Sequence, residues 1–219
     1  MEILHRANRH SVWLLGMVLV IILLGVFVPG VAHAQAPQVP QAANAYRPVL
    51  VRSAHAVWGM DAPVAAFAAQ VHQESGWRPG AVSQVGATGL AQFMPSTARW
   101  ISDIYPALGA NEPFNPGWAL RALVTYDLWL HTRVQAADPC NRFAFVLSGY
   151  NGGLGWVMRD KTLASGKGLD PLVWFDSVER VNAGRSAANW RENRDYPKRI
   201  LQRNEPAYVA AGWGPGVCP

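Results

Sequence analysis

The chain has 219 residues, of which half are hydrophobic, and it carries a formal net charge of +5. Only 15% of the residues are charged, whereas 11% are aromatic, including ten tryptophans. This composition excludes a disordered polyelectrolyte, which would be rich in charge and poor in aromatic residues. The basic balance favours an anionic partner, but the arginines are scattered along the chain, so the sequence does not indicate a nucleic-acid-binding protein.

The first 34 residues have the pattern of a secretory signal peptide. Arg6 and Arg9 precede an uncharged run over residues 12–28, and Ala32-His33-Ala34 supplies a small-x-small cleavage site. Because the run is nearly long enough to cross a bilayer, an uncleaved membrane anchor over 12–28 is the alternative. In either case we expect the rest of the chain to be exported.

Export changes the interpretation of the two cysteines, Cys140 and Cys218. An oxidising compartment favours a disulfide between them, and two unrelated thiols are the alternative. The cysteines have no metal-ligand spacing, and the six histidines form no paired motif. The sequence therefore predicts neither a metal site nor a cofactor.

The exported part reads as one helical domain with short flanking segments. Residues 35–47 are rich in Pro, Gln and Ala and predict a flexible linker. We assign residues 48–210 to a single globular domain and 211–219 to a C-terminal tail.

Helix starts are marked by capping residues followed by proline, a pattern that suits the first turn of a helix. An alternating strand pattern is almost missing from the sequence, so we predict a mainly α fold. The predicted starts are Asp61-Ala62-Pro63 for a helix to about Glu74, Asn115-Pro116 for a helix to about Val134, Asp138-Pro139, Asp170-Pro171 and Ser186.

The first candidate functional residue is Glu74, which lies where an apolar helix is predicted to end before Gly76. A carboxyl group at a helix C-terminus faces the negative end of the helix dipole, and burial beside apolar groups disfavours ionisation further. Both effects keep a carboxyl protonated, as a general acid requires. The alternative is an ordinary solvated glutamate.

Two glycine-containing segments follow. In residues 86–98, Gly86 and Gly89 allow a tight turn, and Gln92 offers both a donor and acceptors that suit a sugar. Residues 148–153 contain Tyr150 and Asn151 before paired glycines. Taken singly, residues 86–98 are also compatible with a glycine-rich turn that enters a helix, and residues 148–153 with a helix C-cap.

Taken together, these segments are specific. Over about residues 63–204 the chain resembles the soluble lytic transglycosylase family, goose-type-lysozyme-like enzymes that cleave peptidoglycan. The matching signatures, in chain order, are Glu74-Ser75, Gly86-Ala-x-Gly89-Leu90-x-Gln92-x-Met94-Pro95-x-Thr97-Ala98, Phe114-Asn115-Pro116, Tyr150-Asn151 and Glu192-x-x-x-Tyr196.

The resemblance implies a lysozyme-like fold with a long sugar-binding groove and Glu74 as the sole catalytic carboxylate. Glu74 would protonate the oxygen between N-acetylmuramic acid and N-acetylglucosamine, then deprotonate the muramoyl C6 hydroxyl that attacks the anomeric carbon, leaving a 1,6-anhydro end. Tyr150 is the expected partner that orients Glu74 or contacts an acetamido group. By the same resemblance the groove is lined by Ser75, Gln92, Met94, Tyr150, Asn151 and Tyr196 and supported by Glu192.

The predicted export indicates a periplasmic protein, and the resemblance implies that its partner is the peptidoglycan glycan strand. The chain is similar to small enzymes that open the wall for secretion or conjugation machines. A hydrolytic muramidase on the same fold is the nearest alternative, although no acidic residue lies between Glu74 and Asp103 to supply a second carboxylate. A non-catalytic peptidoglycan-binding protein is a further alternative. Trp77, Trp100 and Trp156 are candidates for stacking on sugar rings, with core packing as the alternative for each.

Overall fold

The computed structural model of the protein describes residues 38–218 and confirms the predicted mainly α fold. Two single turns of 3-10 helix, Pro106–Leu108 and Val178–Arg180, lie in the connections. The α-helices of this part of the chain are α1 (Gln41–Trp58), α2 (Val64–Ser75), α3 (Pro95–Ile104), α4 (Pro116–His131), α5 (Pro139–Gly152), α6 (Leu154–Gly166), α7 (Ala187–Pro197) and α8 (Glu205–Ala210), and a π-helical stretch, Lys198–Asn204, joins α7 to α8.

Three of the predicted helix starts are made by their capping side chains. Asn115 Oδ1 accepts from the backbone N–H of Gly117 at the start of α4. Asp138 and Ser186 do the same for α5 and α7, each accepting from the backbone N–H three residues ahead. These caps depend only on neighbouring residues, which is why the sequence reveals them.

The helix predicted from Asp170-Pro171 is wrong. Asp170 caps a single turn, in which its Oδ1 accepts from the N–H of Leu172. The N–H groups of Trp174 and Phe175 do not bond to the carbonyls of a preceding helical turn, because both donate to Oδ1 of Asn141 on α5, Trp174 at 2.8 Å. A contact to a distant helix thus replaces the helical hydrogen bonds.

The flexible linker predicted over residues 35–47 is also wrong for its second half. Helix α1 begins at Gln41, Ala43 is fully buried, and the Tyr46 ring stacks on Trp77 with 6.2 Å between ring centroids. Alanine and glutamine are good helix formers, so this segment becomes helical once it has a surface to pack on. Residues 35–37 and the predicted signal peptide and anchor, 1–34 and 12–28, lie outside the described residues.

Helices α2 and α4 form the centre of the hydrophobic core. Every residue of α2 from Val64 to Val71 is buried, and α4 carries a buried face that runs to Leu130. Helix α1 packs against α4, where the Trp58 indole donates to the carbonyl of Val124 at 2.7 Å. Because α2 is enclosed on nearly all sides, its C-terminal end is held in a fixed position.

The segment predicted as a C-terminal tail packs on the domain as far as the structure describes it. Trp213 is buried, and Cys218 forms a disulfide with Cys140, the pairing expected for an exported chain. The packed domain therefore extends from α1 to Cys218, beyond the predicted limits of 48–210. Within residues 38–218, no helix is long and apolar enough to cross a membrane.

Candidate active site

Glu74 occupies the penultimate position of α2, next to the point where the chain turns away. Gly76 takes a left-handed conformation with φ of 58°, and its N–H donates to the carbonyl of His72. A residue with a side chain adopts this conformation at a cost, so glycine ends the helix here cleanly. The Glu74 side chain is thereby placed at the wall of a cleft of about 390 Å³.

The Glu74 carboxyl group has an unusually high affinity for its proton. Burial in the cleft wall raises its pKa from 4.5 to about 8 and outweighs the hydrogen bond from Tyr196, which lowers the pKa. Negative charge on Glu192 raises the pKa slightly further, and Arg199 opposes that effect. The carboxyl is therefore mostly protonated at neutral pH, as the sequence argument for a general acid requires.

The partner of Glu74 is Tyr196 and not Tyr150. The Tyr196 hydroxyl donates to Glu74 Oε1, which leaves Oε2 as the oxygen that carries the acid proton. Tyr150 lines the same cleft, but its hydroxyl donates to the carbonyl of Ala91 at 2.7 Å. Tyr150 therefore supports the glycine-containing loop and does not orient Glu74, whereas its contact with an acetamido group stays a prediction.

Tyr196 reaches Glu74 although a proline follows it. Pro197 has no N–H to donate, and the chain continues from it into the π-helical stretch without leaving the helical conformation. Tyr196 is almost fully buried on this continuous helix, and its ring faces the end of α2.

The glycine-containing loop forms the opposite wall of the cleft. Gly89 has φ of 77°, and a Cβ atom on it would lie 1.8 Å from the carbonyl oxygen of Pro113, so the fold admits only glycine there. Gln92 lines the cleft, but its Nε2 donates to the carbonyls of Ala81 and Gly89. Its amide oxygen remains as the acceptor for a ligand.

The other predicted groove residues divide into two groups. Met94, Asn151 and Glu192 line the cleft. Asn151 Oδ1 accepts from Asn193, and Glu192 pairs with Arg199 at 2.6 Å. Ser75 is not brought into the cleft, because its side chain is buried and donates to the carbonyl of Val71 within α2.

The cleft is continuous with two further hollows. One shares Thr97 and Tyr126 with the cleft and is walled by Trp100 and Trp129. The other shares Asn151, Val85 and Glu192 with the cleft. Both hollows therefore adjoin the cleft that Glu74 lines.

Two of the tryptophans considered for sugar stacking lie in these hollows. Trp100 lies in the first hollow and Trp156 in the second, whereas Trp77 is a core residue whose indole donates to the hydroxyl of Tyr208. Stacking is thus available to Trp100 and Trp156 only.

Sequence reasoning missed several cleft residues. Tyr126 lies on α4, whose hydrophobic pattern indicates core positions, and nothing local separates a core tyrosine from one at a cleft wall. Gln73 and Ser83 adjoin the Glu74 and glycine segments, so proximity to those segments is the signal that could have found them. Among residues 38–218, no cluster of three or more His, Cys, Asp or Glu side chains is arranged to hold a metal ion.

A helical domain with one protonated carboxyl in the wall of a cleft has the arrangement of a candidate acid-base site. The model of the transglycosylase SLT domain family matches residues 51–171, more than half of the chain. The chain belongs to this family.

Known proteins agree with this assignment. A membrane-bound lytic murein transglycosylase F from Vibrio cholerae is 29% identical over 163 residues, which cover 66% of this chain and 29% of the relative. The chain thus spans less than a third of the length of this curated relative. Two solved structures share the fold, and in each the match covers 25% of the solved chain. The 70 kDa soluble lytic transglycosylase from Escherichia coli matches 77% of this chain with a TM-score of 0.56 and 22% identity. An inactive mutant of the lytic transglycosylase Slt from Pseudomonas aeruginosa matches 79% of this chain with a TM-score of 0.58 and 24% identity.

Proposed function

We propose that the protein is a peptidoglycan lytic transglycosylase that cleaves the bond between N-acetylmuramic acid and N-acetylglucosamine and leaves 1,6-anhydro ends. The observation that carries the proposal is the Glu74 carboxyl, whose pKa is raised to about 8 in a cleft that two further hollows adjoin. The family assignment and the names of the relatives support the same substrate.

The reaction needs one group that first gives and then takes a proton. Protonated Glu74 donates the proton on Oε2 to the bridging oxygen, so the leaving sugar departs with a neutral hydroxyl. The resulting carboxylate then accepts the proton of the muramoyl C6 hydroxyl as its oxygen bonds to the anomeric carbon. Glu74 ends protonated again, and no water is consumed.

Tyr196 suits both halves of this cycle. Its hydroxyl donates to Glu74 Oε1, a bond that is stronger when Glu74 is ionised than when it is neutral. The bond therefore stabilises the carboxylate that exists between the two proton transfers, and it fixes the carboxyl plane relative to the sugar. A fixed acid loses little entropy when the transition state forms.

Glu192 is the other carboxylate of the cleft, and its environment differs from that of Glu74. Its side chain is 56% exposed and is paired with Arg199. An exposed carboxyl group that is paired with an arginine fits substrate binding better than proton donation. A hydrolytic muramidase would instead require Glu192 to activate a water molecule, and the product analysis below separates the two mechanisms.

The test is mass spectrometry of the fragments released from purified peptidoglycan by the protein and by its Glu74→Gln variant. Anhydro ends, one water lighter than reducing ends, should form with the unchanged protein and vanish with Glu74→Gln. Asp103→Asn, an exposed substitution outside the cleft, is the matched control and should release the same products. Reducing ends would make the protein a muramidase, and release from neither protein would favour a peptidoglycan-binding role.

We further propose that the protein acts in the periplasm, where the glycan strands are its partner, and that it opens the wall locally for a secretion or conjugation machine. The exported character of residues 1–34 and the name of the Vibrio relative support an envelope location. Cell fractionation tests the location. Normal assembly of the envelope machines in a deletion strain would contradict the role in local opening.

A further inference from the structure

The hollow beside Asn151 has features that the cleavage reaction does not use. Its volume is about 590 Å³, and its walls include Trp156, Arg185, Asn189 and Gly152. The Arg185 side chain is only 3% exposed, and its Nη2 atom has no hydrogen-bond partner among the described residues. A buried guanidinium with an unused donor is costly unless something satisfies it.

Arg185 belongs to a buried cluster with excess positive charge. Its Nη1 and the Nη2 of Arg194 both donate to the same oxygen of Asp160, which is fully buried. Two guanidinium groups and one carboxylate leave one net positive charge inside the fold. Arg159 adds another nearby, because its guanidinium lies 4.8 Å from the Trp156 ring centroid, on a ring that Arg185 also approaches.

The backbone of Gly152 packs directly against the cluster at the wall of the hollow. A Cβ atom on Gly152 would lie 2.7 Å from Asn193 Nδ2 and 3.4 Å from Arg185 Nη2, so a side chain there would collide with Asn193 and lie against Arg185. Helix α7 begins at the same hollow, with exposed Ala187 and Ala188. Backbone N–H groups of a first helical turn have no partners within the helix and attract anions.

Glu192 is the acidic residue in the lining of this hollow, and Arg199 neutralises it at 2.6 Å. The balance of charge facing the hollow is therefore positive. From these observations we propose that the hollow binds a carboxylate carried by the peptide stem of the glycan strand. The proposal rests on the proposed function, because the hollow adjoins the cleft through Asn151 and receives a substituent of the sugar bound there.

Asn189 provides a test that leaves the buried cluster intact, because it is exposed at the rim of the hollow. Asn189→Asp adds a negative charge where the ligand carboxylate would lie. Asn111→Asp makes the same change of net charge on an exposed residue outside the hollow and is the matched control. Both are made in the full-length Glu74→Gln protein, which should hold ligands without cleaving them.

The measurement is binding by calorimetry or NMR titration with three soluble probes. They are an N-acetylglucosamine oligomer, a disaccharide dipeptide that ends in a free carboxylate, and the same compound with that carboxylate amidated. The free acid should bind more tightly than the amide. Asn189→Asp should reduce the affinity for the acid about threefold to fivefold and leave that for the amide unchanged, as expected for a partly exposed charge pair.

Salt provides a second readout, since about 0.5 M sodium chloride should reduce the difference between acid and amide. Equal binding of acid and amide, or equal effects of the two substitutions, would overturn the carboxylate site while the neutral oligomer still reports on the cleft. Failure of every probe to bind, the neutral oligomer included, would refute the proposed function and the site together. Failure of Glu74→Gln to abolish cleavage would refute the proposed function alone.

Discussion

Replacing the buried acid should stabilise the protein, and the gain should depend on pH in a defined way. The pKa of Glu74 rises from 4.5 to about 8 on folding. Between these values the folded protein holds a proton that the unfolded chain has released. The unfolded state then binds fewer protons, so the stability of the unchanged protein falls as the pH rises from 4.5 to about 8.

The magnitude follows from this displacement. Each pH unit within the window costs about 1.4 kcal/mol, so at about pH 7 the full penalty would be about 3 kcal/mol. The Glu74 side chain is only partly buried by its surface area, and solvent in the cleft reduces the penalty. We therefore expect Glu74→Gln, which keeps an acceptor for the Tyr196 hydroxyl, to gain about 2 kcal/mol at about pH 7.

Urea unfolding at several pH values measures the gain. The difference between Glu74→Gln and the unchanged protein should be near zero at the acidic end of the window, increase through it, and level off above about pH 8. Asp103→Asn, on an exposed position, should stay within about 0.5 kcal/mol throughout. A gain that is constant with pH, or a variant that becomes relatively less stable as the pH rises, would refute the assignment of a raised pKa to Glu74.

Two further substitutions test the walls of the cleft. Gly89→Ala should lower the free energy of unfolding by about 3 kcal/mol, because its Cβ atom would lie 1.8 Å from the Pro113 carbonyl oxygen. Gly80→Ala, with open space around it, is the control and should be nearly neutral. Similar losses for both in thermal or urea unfolding would contradict the predicted contact. Tyr196→Phe removes the hydrogen bond that lowers the pKa of Glu74, so the alkaline decline of product release should move to higher pH while the rate falls about tenfold. A pH profile that does not move would show that the two side chains are not coupled.

The sequence predicts those parts of the fold that depend on neighbouring residues. The caps at Asn115, Asp138 and Ser186 are formed within a few residues of each helix start, and all three predictions are confirmed. Asp170 carries the same local signal and fails, since the amide groups after it bond to Asn141 on another helix. A contact over 33 residues leaves no trace in a local pattern.

The candidate site shows the same division. The position of Glu74 before a helix-ending glycine is visible locally, and burial gives it the raised pKa that was expected. Which tyrosine reaches it is decided by a contact over a separation of 122 residues. Tyr150 and Tyr196 both lie in the last turn of their helices, so the sequence does not distinguish the one that supports the loop from the one that holds the acid.

The continuous helical segment from Ala187 to Ala210 makes two hydrogen bonds near the end of α2. Tyr196 donates to Glu74, and Tyr208, twelve residues further along the same segment, accepts from Trp77, three residues past Glu74. Both hydrogen bonds come from one continuous helical segment, which fixes the region around Glu74 at two points. A displacement of the C-terminal part of this segment would therefore also move the Glu74 carboxyl, so the geometry of the cleft depends on the packing of the chain's last residues.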